Sequence, residues 1–505
     1  MPILRINNFH NGLTSSQYSY DGAFYKAVNL DVFSQRGICR INYLPIQETT
    51  DVLIGDNIPL NFAKNPDSAT DVYATTTNSR VLVSTDSGDS WSSLATNKGG
   101  HCIVWKDHLF VAGTTALNSY GPLSGTPAWN SFQTLNNTTE HFMFHSKNDD
   151  KLYICNGKDA NGKGVVASLE QKSGQNFDDG TSATYTWTGA TLLLPEGYAP
   201  RCITEQRESL LIGTMAGNVA SPLQSATIFV WDREKVEYDY PVLVPEGFVN
   251  SMLNVANQVY VSAGSSGNIY LFSDSGLIPF AQIPFDYDGG KGILIGGYGH
   301  QGLAAFKEKI IVGAFNSATG NRLSPTGLYI LDPETRKISH GFLPSTGEDG
   351  SSNMLYIGGV YAFDKNTLLF GYCDDGQDTA EQGRIDRILD SNNRWPDNAS
   401  GNPQAYFETP IYKIGTSFSP VNFQQIDIQL ARVLQTGEEV IVKYKKNGET
   451  SWTTISTFDY TNYGAVSSFK SPVGIQGIEI LQLRVELTTG SSSTNTPYLQ
   501  EISLQ

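Results

Sequence analysis

The sequence predicts an all-β chain: a β-propeller of about seven blades, with six or eight as the neighbouring counts, then a separate C-terminal β-sandwich. Three observations predict it. An apolar run ending in a small residue recurs at a spacing near about 50 residues, the range of propeller blades. The composition favours strands and turns. The last hundred or so residues switch to strict alternation of apolar and polar side chains.

The recurring run reads His108–Gly113, Lys151–Gly157, Ser209–Gly213, Gln258–Gly264, Lys309–Gly313 and Thr367–Gly371, with Asp71–Thr75 as a weaker first member. Hydrophobic residues are 39% and charged residues 17%, while Gly, Ser, Thr, Asn and Gln fill the rest. Helices draw on Ala, Leu, Glu and Lys, so this mix argues for strands. The 49 Gly and 22 Pro suit many tight turns.

Three regions follow in order. Residues 1–50 read as an extended N-terminal arm that lies against another surface. Residues 51–405 are the repeat region. There, Ser266-Gly267, Asp274-Ser275-Gly276 and Asp332-Pro333-Glu334-Thr335 mark turns between successive strands. A sheet of about four antiparallel strands cannot bury both faces alone, whereas stacking around an axis buries them. An open solenoid is the runner-up, but its coils are shorter and more regular. Residues 406–505 alternate: Gln425–Leu430 and Val440–Tyr444 read as strands, Asn447-Gly448 as a hairpin turn, and Ile478–Leu487 as one long strand.

The net charge of −16 and the lack of a basic run argue against a nucleic-acid surface. The short Lys443–Lys446 cluster reads as a solvated strand. Cys39, Cys102, Cys155, Cys202 and Cys373 are odd in number and widely spaced, which favours buried thiols and synthesis in a reducing compartment. No apolar run reaches bilayer length, and the first residues lack a leader pattern, so the expectation is a protein made in the cytoplasm without a membrane segment.

Candidate chemistry is sparse. His141 and His145 fall on one face of a strand without a third ligand, which favours structural histidines. Asp286–Gly290 and Asp374–Asp378 are acidic turns that do not complete a calcium loop. Gly292–Gly302 is glycine-rich but is not followed by a helix, so no phosphate cradle is expected. No catalytic residue, cofactor or metal is assigned, and the chain is not expected to be an enzyme.

The segment Ser84-Thr85-Asp86-Ser87-Gly88-Asp89-Ser90-Trp91 resembles the Asp-box of sialidase-type propellers. Its Ser84, Asp86, Gly88 and Trp91 imply a structural turn: Asp86 accepts from turn amides, Gly88 supplies positive φ, and Trp91 packs under a blade. A sialidase would also need three arginines, a tyrosine nucleophile with its glutamate, and an early Arg-Ile-Pro. Arg40-Ile41-Asn42 lacks the proline, and Arg201 and Arg207 fall between strands. A sialidase-like glycosidase or glycan-binding propeller is therefore the alternative reading.

The order of parts carries a broader resemblance. Gly383–Asp390 closes the repeat. Phe407-Glu408-Thr409-Pro410 opens the alternating region, which ends in Arg484–Leu487 and Thr496-Pro497-Tyr498-Leu499. Asn8–Leu13 and Asn29-Leu30-Asp31 lead the chain. This order is similar to virion proteins of tailed bacteriophages, of the tail hub or nozzle kind. The resemblance implies a structural component of the tail or head–tail connection. It would act in a symmetric ring with copies of itself and other virion proteins as partners, and a host surface glycan as partner if it sits at the tip.

Overall fold

A computed structural model describes residues 4–14, 23–49, 58–77, 80–136, 141–172, 185–216, 225–284, 293–295, 301–316, 325–345, 354–375, 382–389, 394–395, 405–490 and 495–505. Seven antiparallel sheets follow one another along the chain. Blades 1 to 5 occupy residues 59–95, 101–134, 143–196, 198–243 and 249–282, each with four strands in sequence order. Blade 6 runs over residues 303–342, with Ile293–Ile295 as an extra pairing strand. The first strand of each blade lies beside the first strand of the next, and that of blade 7 (Met354–Ala362) returns to that of blade 1 (Pro59–Lys64). The ring is closed, and the chain is a seven-bladed β-propeller.

The recurring run is the second strand of every blade. Those strands are covered on both faces by adjacent blades, so they read as unbroken apolar runs: His108–Ala112 is buried throughout. Outermost strands are half-solvated, as in Tyr240–Leu243, and left a weaker pattern. First and second strands often join through two-residue turns with both residues at positive φ. These are Lys106-Asp107, Ala256-Asn257 and Lys307-Glu308, the geometry that matches strand twist. All five cysteines are buried free thiols.

Blade 7 is built differently. Its three local strands end at Gln382–Leu389, and its fourth is Ile46–Gln47 of the N-terminal arm, in register with Arg387 and Asp386. Glu48 N donates to the Ile385 carbonyl, and Ile385 N donates to Thr49 Oγ1. At the axis, Gln301 clamps the same seam. Its Oε1 accepts from Phe62 N at 2.8 Å, its Nε2 donates to Phe62 O at 3.0 Å, and its own carbonyl accepts from Val360 N. Gly358 and Gly359 permit this approach, because a Cβ there would fall 1.9 and 2.2 Å from the carbonyls of Pro59 and Leu60.

The C-terminal unit consists of two antiparallel sheets that share one hydrophobic cluster. The arm completes both. Leu4–Ile6 pairs with Leu499–Leu504 in one sheet, and Lys26–Val28 pairs with Tyr406–Glu408 in the other. The expected long strand 478–487 is found as one strand, Ile480–Thr488, starting two residues later than expected, because Ile478 ends the strand before it. Ser468–Ile478 belongs to the first sheet and Ile480–Thr488 to the second, with the corner at Glu479. Gly477 at φ 68 allows the turn, and Asn447 Oδ1 accepts from the amides of Glu479 and Ile480.

Between the two units, the arm docks on the outer strand of blade 6, Lys337–Phe342. Leu13 N donates to Ile338 O, Asn42 Nδ2 donates to Gly341 O, and Leu343 N donates to Asn29 Oδ1. The arm was expected to lie against another surface, and that surface is the chain's own. Its described strands pair within the chain, because both sheets and blade 7 each lack an edge strand that only the arm supplies.

Candidate functional site

The sequence-selected residues separate in space. Segment 84–91 joins the third strand of blade 1 (Val81–Ser84) to its fourth (Ser92–Ala95). Ser84 Oγ donates to Asp86 Oδ1 at 2.7 Å and accepts from Gly88 N at 2.8 Å; Ser90 N donates to Asp86 Oδ1 at 2.8 Å. Burial would raise the Asp86 carboxyl, but the Ser90 and Ser84 hydrogen bonds and the Arg387 charge hold it below its ordinary value. Gly88 sits at φ 87, and Trp91 Nε1 donates to its carbonyl at 3.1 Å. The Trp91 ring meets Phe62 edge-on, in a cluster that includes Phe363, Leu369 and Ile385 of blade 7. Asp89 pairs with Arg387, whose Nε is 2.7 Å from Glu48 of the arm. Segment 84–91 thus braces the seam that the arm closes.

The arginines do not form a clamp. Arg40 belongs to the arm, where it pairs with Asp31 at 2.7 Å and lies over the Tyr498 ring. Arg201 lies in the first strand of blade 4 against Phe248 and Met215. Arg207 follows that strand's other end, six positions on, or about 20 Å at strand rise. One carboxylate cannot be held by all three.

The histidines also diverge. His141 is buried, with its ring nitrogens 2.9 Å from the carbonyls of Cys155 and Thr114, and burial holds its pKa below the ordinary value. His145 meets Asp150 at 2.9 Å, in a cluster with Lys106. Among the described residues, no group of three His, Cys, Asp or Glu side chains forms a metal site. Asp286–Gly290 lies outside the described residues, as do residues 376–378 of the second acidic turn. Within Gly292–Gly302, Ile293–Ile295 is a strand and Gln301 is the seam clamp.

The two Thr-Pro segments have a clear local role. Thr409 Oγ1 accepts from Leu483 N at 2.9 Å, and Thr496 Oγ1 accepts from Ile41 N at 3.0 Å. Each hydroxyl serves as the acceptor for a backbone amide of the neighbouring segment. Leu499 then exchanges both backbone hydrogen bonds with Cys39 at 2.9 Å. These segments hold the sheets and the arm together.

One concavity among the described residues was not visible in sequence. A cavity of about 420 Å³ opens where the arm crosses blades 6 and 7. Its apolar wall is Phe306, Ile330, Phe342 and Ile388, and the arm's Phe33 and Tyr43 also line it. At its rim, Arg40 Nε and Nη2 donate to the buried Asp31 carboxylate at 2.9 and 2.7 Å. Burial pushes that carboxyl up, but Arg40 and Ser34 bring it below its ordinary value. The Arg394 guanidinium lies 3.7 Å over the Tyr43 ring. Lys307, Glu308 and Lys309 also line the cavity, with Lys309 paired to Asp332 at 3.1 Å, so an apolar floor that suits an aromatic or aliphatic side chain lies under a charged mouth. Its wall comes from segments more than 250 residues apart, so no local motif marks it.

No family model matches the chain, and no curated protein matches it. Several solved structures are similar. YCF48 bound to D1 peptide is 9% identical, covering 72% of this chain and 98% of that one, with a TM-score of 0.44. The Cps50 (Swd1) β-propeller domain of Myceliophteria thermophila is 12% identical, covering 66% and 96%, with a TM-score of 0.43. The extracellular domain of the putative one component system BT4673 of B. thetaiotaomicron is 12% identical, covering 92% and 63%, with a TM-score of 0.42. These likenesses concern the fold alone. No helix of the described residues is long and apolar enough to cross a membrane.

Proposed function

We propose that the chain is a structural component of a tailed phage particle, in the tail or head–tail connection, and works as an assembly and docking module in a symmetric ring. The observation that carries the reading is the arm. One segment of about 45 residues closes the propeller, completes both C-terminal sheets and ties them to blade 6. A part that transmits load between neighbours needs its units fixed to each other, and this arm fixes them at four points along one chain. Segment 84–91, read as an Asp-box, supports the same seam. The order of parts, from repeat through Glu408-Thr409-Pro410 to Thr496-Pro497, adds the resemblance to phage virion proteins.

Function in this reading is geometric. The acidic surface keeps free copies apart until contacts align, and ring symmetry repeats each contact. A sialidase-type reaction finds no support in the dispersed Arg40, Arg201 and Arg207. Mass spectrometry of purified particles tests the proposal. The chain is expected there at a copy number that is a multiple of a ring order; its absence from washed particles would sink the reading.

A further inference from the structure

A turn in the C-terminal unit displays Phe418 with 99% of its surface exposed. Among the described residues large apolar side chains are otherwise mostly covered, and the next most exposed, Leu243, reaches 67%. The Phe418 turn is not loose. Thr416 N donates to Ser419 O at 3.2 Å, Ser419 N donates back to Thr416 O at 3.0 Å, and Thr416 Oγ1 also accepts from Ser419 N. Gly415 beneath it abuts the Ile478 carbonyl, where a Cβ would fall at 2.3 Å. A fully exposed aromatic ring on a turn whose backbone is held by hydrogen bonds is the form of an interface anchor, because the backbone beneath it loses little freedom when the ring docks.

The same chain carries a receptor for such an anchor. The cavity between arm and blades offers Phe306, Phe342, Ile330 and Ile388 as an apolar wall, with Phe33 and Tyr43 beside them. At about 420 Å³ it has ample room for a phenyl ring. Anchor and cavity cannot meet within one copy. The turn adjoins Val421 at one end of strand Val421–Leu430. Leu430 pairs with Leu499, which is bonded to Cys39 beside the cavity's Arg40. Nine strand steps place the two features about 30 Å apart, at opposite ends of the C-terminal unit.

We infer that Phe418 of one copy seats in the arm–blade cavity of the next copy. Such a contact is heterologous: each copy gives one anchor and receives one, which generates a ring when the rotation closes. Thr416-Ser417-Phe418-Ser419-Pro420 carries no charge, so two strongly acidic copies meet there without adding like charges at the contact. The inference rests on the ring-assembly reading and names its contact.

The test is sedimentation-equilibrium mass measurement of the full chain by analytical ultracentrifugation over a wide concentration range, with F418A, S34W at the exposed cavity mouth, and L243A, on the outer strand of blade 4, as control. Wild type and L243A should associate. F418A and S34W should each weaken association at least tenfold while keeping the wild-type melting temperature. Mixing F418A with S34W should restore a dimer that grows no further, since one copy keeps only the cavity and the other only the anchor. Undiminished association of F418A, or of S34W, would overturn the contact while leaving ring assembly standing. A mixture that forms no dimer would also overturn it. A wild-type chain that stays monomeric throughout would overturn it too; the particle mass spectrometry judges the assembly reading separately.

Discussion

Blade 3 and blade 7 have the same four-stranded form but are put together in different ways. Blade 3 is made of strands consecutive in sequence, from Met143 to Glu196. Blade 7 takes three strands from Met354 to Leu389 and borrows its fourth from Ile46–Gln47, some 340 residues away in sequence. A local blade needs only its own turns and its neighbours. The closing blade also needs the arm, and the arm in turn belongs to the C-terminal sheets. The closure of the ring and the integrity of the C-terminal unit are therefore one structural event, whereas blade 3 is nearly independent of both.

Removing residues 1–49 breaks this comparison most severely. It opens blade 7 and bares an edge strand in each C-terminal sheet, an invitation to aggregation. The shortened chain is expected to fold but to melt more than about 10 °C below the full chain, as read by calorimetry on dilute samples.

Arg387→Ala sharpens the contrast at one residue. It removes the partner of Glu48, whose side chain is only 9% exposed, and of Asp89. A buried acid left unpaired costs about 3 kcal/mol in urea unfolding. The counterpart in the local blades, Lys106→Ala, loses its exposed pair with Asp150 and is expected to cost under about 1 kcal/mol.

Asp386 gives the closing blade a pH dependence. Burial pushes its carboxyl up to about 7, although Ser345 N and Oγ donate to it at 2.6 and 2.8 Å and Arg384 is near. The folded state holds this proton more tightly than the unfolded chain. The contribution to stability is therefore full below about pH 4 and is lost as pH rises from there through about 7. D386N keeps an acceptor for Ser345 N and removes the titration. It is expected to be more stable than wild type at pH 8, by on the order of 2 kcal/mol, with the difference shrinking towards pH 4. Thermal melts across that range check the slope.

A smaller effect is expected where the Thr-Pro segments hold the arm and sheets. Thr409→Val and Thr496→Val each leave one backbone amide, of Leu483 or Ile41, without its acceptor. Each should cost about 1–2 kcal/mol in chemical denaturation, and T496V alone should speed proteolysis of the arm.

How much of this was legible follows from burial. The second strands were readable because blades cover them on both faces, which turns them into continuous apolar runs such as Leu152-Tyr153-Ile154. Seven such runs gave the blade count. The closing strand was not readable. Ile46 and Gln47 carry no strand pattern, and their partners lie across almost the whole repeat region. The corner at Glu479 was missed although Gly477 and Asn447 signalled it, because apolar alternation runs straight through both strands. The cavity and Phe418 were missed for opposite reasons. The cavity is assembled from distant segments, and Phe418 sits in a Ser-rich turn that reads as an ordinary loop.

The most direct test of the central claim is amide hydrogen exchange on the full chain and on the chain lacking residues 1–49. The account predicts that protection falls at least a hundredfold, together, in Gln382–Leu389 of blade 7, in Tyr406–Glu408 and in Leu499–Leu504. Blade 3's Leu152–Lys158 should stay within about tenfold of its original protection. Unchanged protection in Gln382–Leu389 would contradict the claim that the arm closes the ring.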